Sequence, residues 1–148
     1  MLLVEDILLK KVIKFIEDID KKYPIEFAYI FGSIVSNENN NMSDIDIAIK
    51  FKYDYTCLKD ALIRGEIIDL GQSIFNMPLD VLNLAKASIF LKHQVVKYGI
   101  VLVDCDERSD FESLVFREYF DFKYYSDIYD EAMLKNIKAN TFFGGSNG

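Results

Sequence analysis

The sequence has no tryptophan, two prolines, two cysteines and a single histidine among its 148 residues. It also has no apolar run near the roughly 18 to 20 residues that a membrane-spanning helix needs. Cys57 and Cys105 stand without metal or redox spacing, and read as reduced thiols of a cytoplasmic protein. His93, in "ASIFLKHQVV", reads as a surface or half-buried helix residue rather than a catalyst. The start, "MLLVEDILLKKVIKFIEDIDKKYP", is apolar in places but carries Glu5 and Asp6, so it is an amphipathic helix and not a signal peptide. Bases are scarce beside acids, 17 against 24, for a net charge of −7. A chain of that sign repels nucleic acid, whose binding depends on neutralising phosphates. A nucleotide that brings its own metal ions remains open to it, as does a basic protein partner.

What is present fits one domain of mixed α and β structure (α+β), with one sheet and helices packed against it. Val4, Leu8, Val12, Phe15 and Ile19 recur at helical spacing up to Pro24. "IEFAYIFGS" reads as a buried strand ending at Gly32, and "SDIDIAIKF" as an alternating second strand. Residues 55–75 are expected to be helical, with Leu58, Leu62, Ile67, Ile68, Leu70 and Ile74 on one broad face. "PLDVLNL" is a third strand, "AKASIFLKHQVVKYG" a helix stopped by Gly99, and "IVLVD" a fourth strand. Residues 107–138 read as one long helix or two, and 141–148 as a flexible, frayed tail. The domain is expected to span 1–140.

Three Asp-x-Asp triplets occur, and two stand where aspartate is ordinary. Asp18 and Asp20 lie at a helix end, and Asp104 and Asp106 at a strand-to-helix turn. Asp44 and Asp46 instead open a strand. Alternation sends both side chains to one face and Ile45, Ile47 and Ile49 to the other. Like charges side by side on a sheet are unfavourable unless a cation screens them. Mg²⁺ held by carboxylates, waters and substrate phosphates would do so. Asp80, alone in the apolar strand "PLDVLNL", is either a turn residue after Pro78 or a further ligand and general base. Gly32-Ser33 is either a plain turn or a place where the backbone and the Ser33 hydroxyl approach phosphate oxygens.

Gly32-Ser33, ten residues, Asp44-x-Asp46 and a later Asp80 together resemble the signature of the nucleotidyltransferase superfamily related to polymerase beta. The chain's size and the helix before the Gly-Ser strand resemble the minimal nucleotidyltransferases (MNT). The end, "FESLVFREYFDFKYYSDIYDEAML", resembles the antitoxin branch that is paired with a HEPN-domain RNase toxin. The resemblance implies that Gly32 and Ser33 hold the phosphates of ATP, and that Asp44, Asp46 and Asp80 bind two Mg²⁺. It further implies that Asp80 takes a proton from the attacking hydroxyl as AMP passes to a toxin tyrosine with release of pyrophosphate. Such families often carry a basic or small residue soon after Gly-Ser. Here Ile34 and Val35 follow, which leaves Lys50, Arg64, Lys86 and Lys92 as candidate phosphate cations. Two other readings compete: transfer to a small hydroxylated molecule, as in aminoglycoside nucleotidyltransferases, and a non-catalytic module that neutralises a toxin by binding.

Residues 107–131 carry eight acids and three bases, interleaved with Phe111, Phe116, Tyr119, Phe120, Phe122, Tyr124, Tyr125 and Tyr129. Aromatics so close in sequence point in several directions around a helix. One face can pack on the domain while another remains exposed inside an acidic rim, as expected of a surface for a basic protein.

Overall fold

The computed structural model describes residues 2–36 and 44–147, with side chains described for 6–32, 34–35 and 44–139. The asparagines at 37 and 39–41, and the Ser33 side chain, lie outside that set. In chain order the elements are α1 (Leu2–Lys22), β1 (Ile25–Phe31), α2 (Ser33–Ser36), β2 (Ile45–Phe51), α3 (Cys57–Phe75), β3 (Leu79–Asn83), a 3₁₀ turn (Leu84–Lys86), α4 (Ile89–Tyr98), β4 (Ile100–Val103) and α5 (Arg108–Asn147).

The strands form one mixed sheet in the order β3-β2-β1-β4. β1 pairs antiparallel with β2 and with β4, while β2 and β3 run parallel. A parallel pair needs a crossover, and α3 provides it. Side-chain alternation divides the core between the two faces. Val12, Phe15, Ile16 and Ile19 of α1 and Ile63 and Ile67 of α3 cover Ile45, Ile47 and Ile49 on one face. On the other, Val95 of α4 and Leu84 close over Phe27, Tyr29 and Ala48, with Phe111 of α5 at the margin. No helix among the described residues is long and apolar enough to cross a membrane.

Side-chain caps set the helix limits. Thr56 accepts from the Lys59 N–H at the start of α3, and Asn76 ends it in the left-handed region at φ 53°. The expected helix over 85–99 is divided. Asn83 accepts from the Ala85 N–H and Ser88 from the Leu91 N–H, so a short 3₁₀ turn precedes a separately capped α4.

The broad apolar face of α3 is not the face that the helix buries. Asp60, Ile63, Ile67 and Gly71 are buried, whereas Leu58, Leu62, Leu70 and Ile74 are exposed. Two contacts turn the helix this way. Asp60 accepts from Asn83 Nδ2 of β3 at 2.6 Å and from Arg64 Nε at 3.0 Å. Gly71 lets the helix settle onto β3, since a Cβ there would come within 2.5 Å of Leu79 Cδ1. The end of the chain differs from expectation. α5 is a single helix that reaches Asn147, so the backbone of 141–147, expected as a frayed tail, is helical. No proline interrupts it.

Candidate functional site

The sheet register brings the predicted residues toward one end. β1 delivers Phe31 opposite Asp46 of β2, and the chain turns at once through Gly32, whose φ is +87°. That left-handed conformation favours glycine. Space demands it as well, because a Cβ on Gly32 would overlap the Asp46 carboxylate. α2 begins directly afterwards at Ser33, and the Gly32 carbonyl accepts from the Val35 N–H at 3.1 Å.

Asp46 is the second residue of β2 and Asp80 the second of β3, and the two stand opposite each other in the parallel ladder. Neighbouring strands lie about 4.8 Å apart, so their side chains leave the same face side by side. That face is the one α4 covers further along, because Ala48 and Leu82, the next residues on it, belong to the α4-side cluster. Asp44, exposed just ahead of β2, is two residues from Asp46. Asp80 is exposed, and its Oδ1 accepts from the Val81 N–H at 2.9 Å.

The three acids bear on one another electrostatically. The half-buried Asp46 carboxyl is pushed above its ordinary value, first by burial and then by the Asp44 and Asp80 carboxylates. None of the three forms an ion pair with a described lysine or arginine. Among the described residues no three His, Cys, Asp or Glu side chains are drawn together as a metal-ligating cluster. The aspartates share one end of the β2–β3 pair. The donor set itself is all carboxylate oxygen, the chemistry that hard divalent cations take.

Of the four candidate phosphate cations, three are occupied elsewhere. Lys50 lies four residues down β2 and pairs with Glu26 at 3.6 Å. Arg64 is held by Asp60 on α3, whose inward face meets the opposite side of the sheet. Lys86 donates to the Tyr55 carbonyl at 2.7 Å. Lys92, half-buried on α4, has neither kind of partner among the described residues. His93 stacks flat on Tyr119 at 3.6 Å, with Phe116 edge-on at 5.6 Å, so it joins α4 to α5 as packing.

Sequence reading missed one polar relay. The buried Tyr29 of β1 donates to Glu112 Oε1 of α5 at 2.6 Å. Arg108 donates to the same oxygen at 2.6 Å and to Asp104 at 2.6 and 3.2 Å. The spacing Asp104, Arg108, Glu112 is a readable i, i+4 signal, but Tyr29 lies 83 residues from Glu112 and gives none.

The family model for polymerase beta nucleotidyltransferases matches residues 10–108. A comparison with curated proteins found no match. Several solved structures share the fold. A chain of a toxin–antitoxin crystal structure with AMP-PNP is 22% identical with a TM-score of 0.67, the match covering 82% of this chain and 98% of that one. A chain from the complex of tri-AMPylated Shewanella oneidensis HEPN toxin with MNT antitoxin is 24% identical at TM-score 0.66, covering 87% and 98%. One from the MntA–HepT toxin–antitoxin is 24% identical at TM-score 0.64, covering 86% and 98%. With the family model spanning two thirds of its length, this chain belongs to the polymerase beta nucleotidyltransferase family.

Proposed function

We propose that this chain is the antitoxin of a HEPN/MNT pair. It moves AMP from ATP to a tyrosine of a HEPN-domain RNase toxin in the cytoplasm and so silences it. The observation that carries the reading is Asp46 set beside Asp80 across the β2–β3 ladder, with Gly32 pressed against the Asp46 carboxylate. This is the arrangement the Gly-Ser, Asp-x-Asp, Asp signature calls for, on a chain of the right family. Gly32 and Ser33 hold the triphosphate of ATP. Asp44, Asp46 and Asp80 hold Mg²⁺, which when bound neutralises phosphate charge. The Asp46 carboxyl, raised first by burial and then by the Asp44 and Asp80 charges, suits that assignment, because a cation would relieve the second of these causes.

In the reaction the phenolic oxygen of the acceptor attacks the α-phosphorus in line. A new O–P bond forms as the bond to the bridging oxygen breaks, and pyrophosphate leaves. The phenolic proton passes to Asp80, the most exposed of the acids that lie within the sheet, and so the one open to an incoming hydroxyl.

We assign the toxin-binding role to residues 107–138 of the single domain. Past Tyr119 every described residue of α5 except Ser126 is exposed. Phe122, Tyr125, Tyr129, Met133 and Ile137 recur at three- and four-residue steps, continuing the line along which Phe111 and Val115 pack on the domain. Tyr125 and Tyr129 are 69% and 63% exposed, which suits interface anchors. The flanking acids suit a basic RNase.

The test is intact-mass spectrometry of the HEPN partner after incubation with this protein, ATP and Mg²⁺, beside the Asp44→Asn/Asp46→Asn variant. A gain of one or more AMP units with the native protein alone establishes the reading. No gain, with a stable complex and full inhibition of the toxin, would overturn it in favour of neutralisation by binding.

A further inference from the structure

We propose that Tyr29 and Glu112 form a latch that sets the direction of α5, and that both are positioning residues for delivery of the acceptor to the aspartates. The inference rests on the proposed function, and concerns how a partner held on α5 is aimed.

α5 has 40 residues, and among its described residues those past Tyr119 are exposed apart from Ser126. Phe111 packs on Phe27 with ring centroids 5.0 Å apart, Val115 is buried, and Tyr119 and Phe122 close on His93 and Phe90 of α4. These are apolar and aromatic contacts, which tolerate small rotations. Among the described residues, the side-chain hydrogen bond from α5 to a strand is the one between Glu112 and Tyr29. Arg108 fixes the same Glu112 oxygen from the side and ties it to Asp104 just past β4. A charged, two-donor node of this kind is directional and short, unlike the ring contacts around it.

The strand at the other end of the latch is the one that leads to the site. Tyr29 lies opposite Ala48 of β2 and Val101 of β4, three residues before Gly32. Two residues from Ala48 stands Asp46. The root of α5 is thus referenced to the same strand pair that carries the acids.

The lever is long. About 25 residues separate Glu112 from Ile137, roughly 37 Å at 1.5 Å per residue, so a tilt of about 10° at the root moves the far end by about 6 Å. An error of about 1 Å in the placement of reacting groups can cost about a hundredfold in rate. A docked partner therefore needs α5 aimed, as well as bound.

The test has two readouts. Nitroxide labels on the exposed native Cys57 and on Lys135→Cys, with Cys105→Ser, report the domain-to-helix distance distribution by pulsed EPR. Tyr29→Phe and Glu112→Gln are each expected to broaden or shift that distribution by several Å. An unchanged distribution in both overturns the latch whether or not the protein transfers AMP. With the HEPN partner, kcat for AMP transfer should fall about tenfold while the partner's Kd and the KM for ATP stay within about twofold. A loss confined to Kd would overturn the positioning role, because the latch would then serve docking alone. Absence of transfer by the native protein counts against the proposed function, and the EPR distances still judge the latch. Circular dichroism melts of both variants identify a fold defect, and the second substitution keeps the test decisive if one of them unfolds.

Discussion

Two regions of the molecule are rich in acid and behave in opposite ways. At the strand ends, Asp46 and Asp80 stand in register on neighbouring strands with Asp44 close by, and none of them has a described cationic partner. Burial and mutual repulsion hold the Asp46 carboxyl above its ordinary value. At the root of α5, Asp104 receives two hydrogen bonds from Arg108, and these hold its carboxyl below its ordinary value. Further along α5 the acids are exposed and spread around the helix. In the first group, a bound cation would offset the charge repulsion at Asp46. The second is either neutralised within the fold or left as a diffuse field. A count of acids along the sequence treats the two alike; the strand register separates them.

The largest expected effect breaks the comparison most directly. Asp80→Asn should lower AMP transfer by about 10² to 10⁴-fold, the range expected for loss of a general base, while the partner still binds. The triple variant Asp121→Asn/Asp127→Asn/Asp130→Asn should leave kcat unchanged. Stopped-flow association should instead show its on-rate reduced by about tenfold and less sensitive to salt. Equal loss of kcat in both would mean that the two acidic regions do not divide the work. Next in size, Tyr125→Ala/Tyr129→Ala should weaken partner binding by about 2 to 4 kcal/mol in calorimetry, with the melting temperature of the free protein unmoved. A fall in that temperature would show that the stripe packs on the domain instead of facing a partner.

Much of this was legible in the sequence, for identifiable reasons. β1, β2 and β3 are short apolar or alternating runs bounded by turn residues, and the structure places them close to the expected limits. The opposition of Asp46 and Asp80 needed the register of a parallel pair, which no local pattern encodes. The orientation of α3 was not legible because its apolar residues surround most of the helix. A buried acid, Asp60, and a glycine, Gly71, decided the inward face, and hydrophobic periodicity gives weight to neither. Three of the four candidate phosphate cations were likewise indistinguishable until their partners could be seen, since a lysine pairs with whatever lies across the sheet or loop. The tie between Tyr29 and Glu112 joins residues far apart in sequence and was invisible for the same reason.

The smallest effect gives the sharpest contrast, because the two kinds of acid predict opposite signs. A carboxyl whose folded value is raised favours folding when protonated, so that contribution is present below its unfolded value near 3.8 and is lost as pH rises through the folded value. Asp46→Asn removes the ionised form. In metal-free buffer at pH 7 it should raise the melting temperature, with the gain shrinking as pH falls toward 3. Asp104, with its value lowered, favours folding when ionised, and that contribution is lost as pH falls through its folded value. Asp104→Asn should therefore lower the melting temperature at pH 7 and have no effect in acid. Adding Mg²⁺ with ATP should stabilise the native protein and leave Asp46→Asn behind, reversing the order of the two at neutral pH. Scanning calorimetry across pH 3 to 7, with and without Mg²⁺ and ATP, measures all three. If Asp46→Asn and Asp104→Asn shift the melting temperature in the same direction, the strand-end acids are ordinary surface charge and the distinction between the two regions fails.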